Sequence, residues 1–171
     1  MDGEGSRARS IGFARLTELP LEDVRALLNE PRNHRHMPLA TVFSEEDTAR
    51  WVHDKDVQWE QHGFGPEAVL VDGGLAGWGG FQREDAGADL SLVLAPRFWG
   101  HGAEVARRFV DRGFGELGLE EIVVSLPFSR SPARALAPYG FRDQGTVTHG
   151  SVTFRLFRLR RADWAGSGAR P

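Results

Sequence analysis

A mixed sheet with helices on its faces, an α/β (α+β) domain, is predicted by three features of the sequence. Stretches of strand-like and helix-like apolar period follow one another in the order β-α-α-β-β-β-α-β-α-β-β. Asp72-Gly73-Gly74 stands between two short apolar stretches as a hairpin signal. A leucine-alternating strand runs through Pro96 into a Gly-containing loop and then into an amphipathic helix. The 171 residues fit one domain at the usual ~100–200 residues per domain. Residues 1–10, polar and Gly-rich, read as a disordered leader, and residues 165–171 as a flexible tail. That leaves 11–164 as a single domain.

Gly12 to Thr17 reads as the first strand. Pro20 opens a short helix, where Pro is tolerated in the first turn, with Val24, Leu27 and Leu28 as its apolar face; Pro31 ends it. Residues 32–43, with two histidines and Pro38, read as a loop with room for one helical turn. Ser44 is an N-cap with Asp47 three residues on, and the helix it opens runs to about Gln61 with Trp51, Val52 and Trp59 on one face. Ala68 to Val71 and Leu75 to Gln82 flank the hairpin; Gly77, Gly79 and Gly80 in the second strand predict a bulge or the close approach of another backbone. After a turn at 84–87, Asp89 to Ala95 forms a strand with Leu90, Leu92 and Leu94 on one face. A long helix starts near Ala103, buries Val105, Ala106, Phe109, Val110 and Leu117, and closes at Gly118. Ile122 to Leu126 is a buried strand, 130–137 a short helix, and Phe141 to Val147 and Val152 to Leu159 the last strands. In the final strand the apolar alternation changes phase, which predicts a bulge near Leu156.

Composition removes several classes of function. Lys and Arg (21) nearly balance Asp and Glu (24), so the basic excess of a nucleic-acid binder is missing. With no cysteine there is no disulfide, thiolate metal site or Cys nucleophile. The start lacks the apolar core of a secretory signal, and no apolar run is long enough to span a membrane, so the expected location is the cytoplasm. His34 and His36 are two residues apart, but no carboxylate at ligand spacing completes a metal set, and no metal is expected.

The stretch Leu90 to Ala103 carries the chemistry. A helix begins with N–H groups that have no partner inside the helix and with the positive end of its dipole. Glycines at 100 and 102 let a ligand approach the backbone. Together they form an anion site suited to a pyrophosphate. It is not a P-loop, because no Gly-Lys-Ser/Thr triplet exists. It is not a dinucleotide fingerprint either, because Val105 stands where the third Gly belongs.

Arg97-x-x-Gly100-x-Gly102 after a strand resembles the GCN5-related N-acetyltransferase (GNAT) superfamily. The longer Leu94-x-Pro96-x-x-Trp99-Gly100-x-Gly102 resembles the branch that acetylates ribosomal-protein N-termini (RimJ/RimL-like). Arg15-Leu16-Thr17, Ser44 to Trp51 and Tyr139-Gly140-Phe141 extend the resemblance over about 13–160. It implies the GNAT fold, a mixed, mostly antiparallel central sheet with helices on both faces. It also implies acetyl-CoA or another acyl-CoA as cosubstrate, with the pantetheine arm between residues 90–95 and 122–127. In this reading Leu92, Val93 and Leu94 bind the arm, and the Val93 N–H polarises the thioester carbonyl. Arg97 and the N–H groups of Phe98, Trp99, Gly100, His101, Gly102 and Ala103 take the phosphates.

The acceptor implied is a primary amine, on a small molecule or a protein N-terminus, which attacks the thioester directly. Asp89 stands where the ribosomal branch often carries Glu and is the candidate base; its plainer reading is a solvated strand-edge carboxylate. The Tyr that donates a proton in many members is replaced by Leu136, and the Asn and Ser of the ribosomal branch by Ser129 and Pro132, so Ser129 is the remaining candidate acid and cofactor contact. His36 and Trp78 are candidate acceptor-pocket residues. Trp51 and Trp59 read as core, Trp99 as packing beside the loop, and Arg155, Arg158, Arg160 and Arg161 as a solvated strand edge. A non-catalytic acyl-CoA-binding or regulatory module is the rival reading, and a homodimer is left open.

Overall fold

The computed structural model describes residues 9–165. Its centre is one seven-stranded sheet built from β1 (Ile11–Ala14), β2 (Pro66–Val71), β3 (Gly74–Glu84), β4 (Gly87–Leu94), β5 (Glu121–Leu126), β6 (Arg142–His149) and β7 (Val152–Arg160). The spatial order is β1-β2-β3-β4-β5-β7-β6. Every neighbouring pair is antiparallel except β4 and β5. The helices are α1 (Leu21–Leu28), α2 (Pro31–His34), α3 (Glu45–His62), α4 (Gly102–Gly115), α5 (Pro132–Leu136) and α6 (Arg161–Ala165).

Helices cover both faces of the sheet. α1 and α3 bury Val24, Leu27, Leu28 and Val52 against Ala68 and Trp78. α4 buries Val105, Phe109, Val110 and Phe114 against Val69, Phe81, Leu94 and Ile122. The start of α3 is the expected capping box: the Asp47 N–H donates to Ser44 Oγ, and the Ser44 N–H donates to the Asp47 carboxylate. Arg112 of α4 makes a two-pronged bond to the buried Glu67 of β2 (2.7 and 3.2 Å) and so ties the helix to the sheet.

Four expectations need correction. The first strand ends at Ala14, and residues 16–18 form a 3-10 turn, because Leu16 swings in to be buried with α1 and α3. Pro31 heads a helical turn of its own, whose first turn is capped by the Glu30 carboxylate. The bulge lies across from Leu156, in β6 between Asp143 and Thr146, while β7 stays regular against β5. The phase change in β7 instead reflects burial on both of its faces: Phe154 and Leu156 on one, Phe157 and Leu159 on the other. β7 is also an interior strand and not an edge. Its arginines are engaged: Arg158 with Glu121 and the Ala86 carbonyl, Arg160 with Glu121, Arg155 over the Phe128 ring, and Arg161 just beyond with the Leu119 carbonyl.

At the termini, Ser10 exchanges backbone and side-chain bonds with Asp72, so the expected leader is already fixed there; residues 1–8 lie outside the described residues. Of the tail expected from 165, Ala165 belongs to α6, and the rest lies outside the described residues. Among the described residues no helix is long and apolar enough to cross a membrane.

Candidate functional site

β4 and β5 are in register at a single pair, Asp89 opposite Val123. Beyond it residues 90–94 and 124–126 have no pairing partners across the two parallel strands, which leaves an opening between them. The connection out of β4 runs through a 3-10 turn, Pro96–His101, straight into α4. His101 caps α4 without a side-chain hydrogen bond. Expected phosphate amides are spent within the turn, among them those of Phe98, which donates to the Ala95 carbonyl (2.8 Å), and Gly102, which donates to the Trp99 carbonyl. This follows from the turn being a continuous 3-10 helix and not an open loop. Trp99 and Gly100 lie on its exposed side, His101 is half-buried beside Phe98, and Ala103 is exposed in the first turn of α4. A Cβ placed on Gly100 would meet nothing, and one on Gly102 only the Leu94 side chain at 4.0 Å. Neither glycine is therefore required by packing within the protein. Arg97 is exposed with its guanidinium over the Phe98 ring, and it has no acidic partner among the described residues.

The backbone facing the opening is set by the β3–β4 register. Antiparallel pairs alternate between those that exchange two hydrogen bonds and those that exchange none. The Ala95 N–H donates to the Ala76 carbonyl, which makes Trp78–Val93 a bonded pair two residues on. Val93 therefore turns its N–H and C=O toward β3, and a Cβ on Gly77 would collide with that carbonyl. The amide expected to polarise a thioester in the opening is thus on the wrong edge. The Leu92 and Leu94 backbones face the opening instead, and the Leu94 carbonyl already accepts from the Trp99 indole (3.0 Å).

The face of the sheet under α3 carries a polar cluster at the vertex of the opening. Asp89 is 7% exposed, which removes the reading of a solvated edge carboxylate. Burial pushes its carboxyl up to about 6, against the opposing pull of its bonds to Ser125 and the nearby His149. Ser125 Oγ donates to Asp89 Oδ2 (2.5 Å) and lies 3.0 Å from His149 Nε2. Glu84 Oε2 is 3.9 Å from the other ring nitrogen of His149. Along the same face, Gln82 donates to Ser91 Oγ (3.3 Å) and accepts from Lys55 of α3, which burial pulls below its ordinary value.

The remaining candidates fall into two groups. His36 and Ser129, 93 positions apart, meet at 2.9 Å beyond the end of β5, with His36 held below its ordinary value by burial and by Arg130 and Arg35. Trp78 is buried opposite Val93, edge-on to Trp51, and its indole N–H has no partner among the described residues. His34 instead bonds the Leu28 carbonyl, so the two loop histidines serve different partners. Tyr139 is buried with its hydroxyl on the Ala103 carbonyl (2.8 Å), and Leu136 is core. Among the described residues no group of three His, Asp or Glu side chains is arranged to hold a metal. A separate depression of about 320 Å³ lies between α1 and the start of the 3-10 turn and shares only Ala95 and Arg97 with this region.

Ser125, His149, Glu84 and Gln82 were missed in the sequence. Ser125 is the one polar residue inside Ile-Val-Val-Ser-Leu, which was a usable signal. His149 gave none, because it meets Ser125 only through the β5-β7-β6 strand order.

Residues 11–155 match the family model for an acetyltransferase (GNAT) domain. Solved structures agree in fold. An acetyltransferase from Agrobacterium tumefaciens superposes with a TM-score of 0.73 at 16% identity, covering 94% of this chain and 99% of its own. An aminoglycoside acetyltransferase solved with coenzyme A gives 0.75 at 18%, covering 94% and 100%. A spermidine N-acetyltransferase from Vibrio cholerae, solved with CoA and spermine, gives 0.72 at 12%, covering 92% and 98%.

Proposed function

The chain belongs to the GNAT acetyltransferase family, and from that premise we propose that it transfers an acetyl group from acetyl-CoA to a primary amine held under α3. One observation carries the reading: a parallel strand pair joined at a single rung opens toward a helix N-terminus, with a buried carboxylate at the vertex. The first-turn amides of α4 from Ala103 onward, with Arg97, would hold the diphosphate. The five residue steps from Asp89 to Leu94 span about 17 Å of strand, room for an extended pantetheine arm. The Leu92 N–H, not that of Val93, then faces the thioester carbonyl oxygen and stabilises the charge that develops there.

Asp89 takes a proton from the ammonium group of the acceptor, and the freed nitrogen attacks the carbonyl carbon. With its carboxyl near 6, Asp89 is ionised at neutral pH yet basic enough to receive that proton. The C–S bond breaks as the amide forms. The leaving thiolate needs no strong acid, since thiols ionise near 8.5, and Ser129, backed by His36, solvates it. Trp78 offers its unpartnered N–H to the acceptor. The acceptor is a small polyamine-like or aminoglycoside-like amine, or a protein N-terminus.

A non-catalytic acyl-CoA-binding module is the second reading. It is favoured by Leu136, which is buried where many relatives carry the acid Tyr, and by the engaged Tyr139 hydroxyl. The test is thiol release from acetyl-CoA against a panel of polyamines, aminoglycosides and N-terminal peptides, beside a calorimetric titration with CoA. Turnover with at least one amine, lowered far more than CoA affinity by Asp89→Asn, supports the enzyme. CoA binding with no turnover on any amine supports the module, and no CoA binding refutes both.

A further inference from the structure

Asp89 is almost sealed from water, so a proton placed on it needs a way out. Ser125 Oγ sits 2.5 Å from Asp89 Oδ2, and His149 Nε2 3.0 Å beyond it. The His149 side chain is 25% exposed, packed on Phe154, with Glu84 Oε2 3.9 Å from Nδ1. Asp89, Ser125 and His149 come from three strands, β4, β5 and β6, and lead with a bend at Ser125 from the vertex of the opening to the surface, Asp89 Oδ2 lying 3.9 Å from Nε2 directly.

We propose that Ser125 and His149 are the exit path for the proton that Asp89 takes from the amine, acting on the reaction through Asp89 and not by touching the reactants. The inference rests on the acetyltransfer reading above. The balance is as follows. The amine N–H bond breaks and an Asp89 O–H bond forms. That proton passes to Ser125 Oγ while the original Ser125 hydroxyl proton passes to His149 Nε2. The imidazolium then loses its Nδ1 proton to water beside Glu84. Asp89 is left ionised, receiving the Ser125 hydroxyl, which in turn receives the Nε2–H; exchange of the ring tautomer with water resets the line. No heavy atom has to move. The charged groups facing the line are Glu84 from β3 and, opposite Glu84, Lys55 from α3; Gln82, also from β3, is turned to Ser91.

Two readouts test this, and only one needs turnover. In the wild-type protein alone, the His149 ring proton followed by NMR against pH should show a second inflection from Asp89. Asp89→Asn should remove it, whereas Ser125→Ala should keep it, because Asp89 Oδ2 also lies 3.9 Å from Nε2; in turnover, Ser125→Ala should lower kcat as His149→Ala does, and Ser125→Thr should restore it. In turnover, His149→Ala should lower kcat roughly tenfold to a hundredfold with the KM for acetyl-CoA within about twofold. Imidazole added to the buffer should restore the rate in proportion to its concentration. A single inflection in the wild type, a Ser125→Ala variant with unchanged kcat, or a His149→Ala loss that imidazole does not touch, overturns the relay. Absent turnover beside a coupled titration overturns the acetyltransfer reading instead.

Discussion

Gly102→Ala separates what the fold needs from what a ligand needs. A Cβ at this position meets only Leu94 Cδ1, at 4.0 Å, and φ is −55°, ordinary helical geometry. Nothing in the protein therefore resists the methyl group. Gly102 is the first residue of α4, and Ala is favoured over Gly in a helix interior by about 1 kcal/mol, less at the first position. The variant should be as stable as the wild type or slightly more so, with a melting temperature raised by about 1–3 °C for a chain of this size. For the ligand the sign reverses. If a diphosphate lies against the first-turn amides, the methyl group holds it off. Losing one charge-assisted hydrogen bond costs about 1.5–3 kcal/mol, which is roughly a 10- to 150-fold weaker Kd. Calorimetric titration with CoA and a thermal scan on the same preparation read both quantities. A protein of unchanged or higher stability that binds CoA with unchanged affinity would show that the head of α4 does not cradle the diphosphate.

Three further outcomes follow from the same geometry. Asp89 has a folded-state carboxyl near 6 against an ordinary 3.8, so the fold favours its neutral form. That contribution is complete below about pH 4 and lost as pH rises through about 6, a difference of up to about 3 kcal/mol. Asp89→Asn should therefore raise the urea midpoint at pH 8 and leave it unchanged near pH 3.5; a lower midpoint at pH 8 would mean that the Ser125 bonds outweigh burial. Arg112→Met strands the buried Glu67 carboxylate and should cost about 3 kcal/mol in denaturant unfolding, whereas a cost below about 1 kcal/mol would mark the pair as no stronger than a surface one. Tyr139→Phe loses one hydrogen bond, about 1 kcal/mol, and should leave amine turnover within about threefold; abolished turnover would make Tyr139 the missing acid.

The elements were legible where local chemistry decides them. Ser44 and Asp47 formed their cap, Asp72-Gly73 made its turn with both residues at positive φ, and Gly77 lies where the β4 backbone passes. The opening between 90–95 and 122–127 was also foreseen, through resemblance and not through spacing. Strand order was not legible. The Arg-rich last strand reads as an edge until β6 closes over its far side, because each strand's own pattern is silent about its neighbours. The edge of β4 that faces the opening was likewise out of reach. Whether Val93 or Leu92 turns its amide inward depends on the register with β3, and a shift of one residue reverses the answer. Asp89, read as either base or solvated carboxylate, depended on the same long-range assembly: its burial comes from β5 and β6, 36 and more positions away.

The lone rung between Asp89 and Val123 divides the sheet into two blocks, β1 to β4 and β5 to β7, each drawn from an unbroken length of chain. All hydrogen-bond ladders except that rung run within one block or the other. What else spans the seam is side chain: Phe109 and Val110 of α4 pack in one core with Phe81 on one side and Ile122 on the other, and Ser125 bonds Asp89 through both its N–H and its hydroxyl. The two halves of the sheet are thus held together by packing and by one buried carboxylate, not by a ladder.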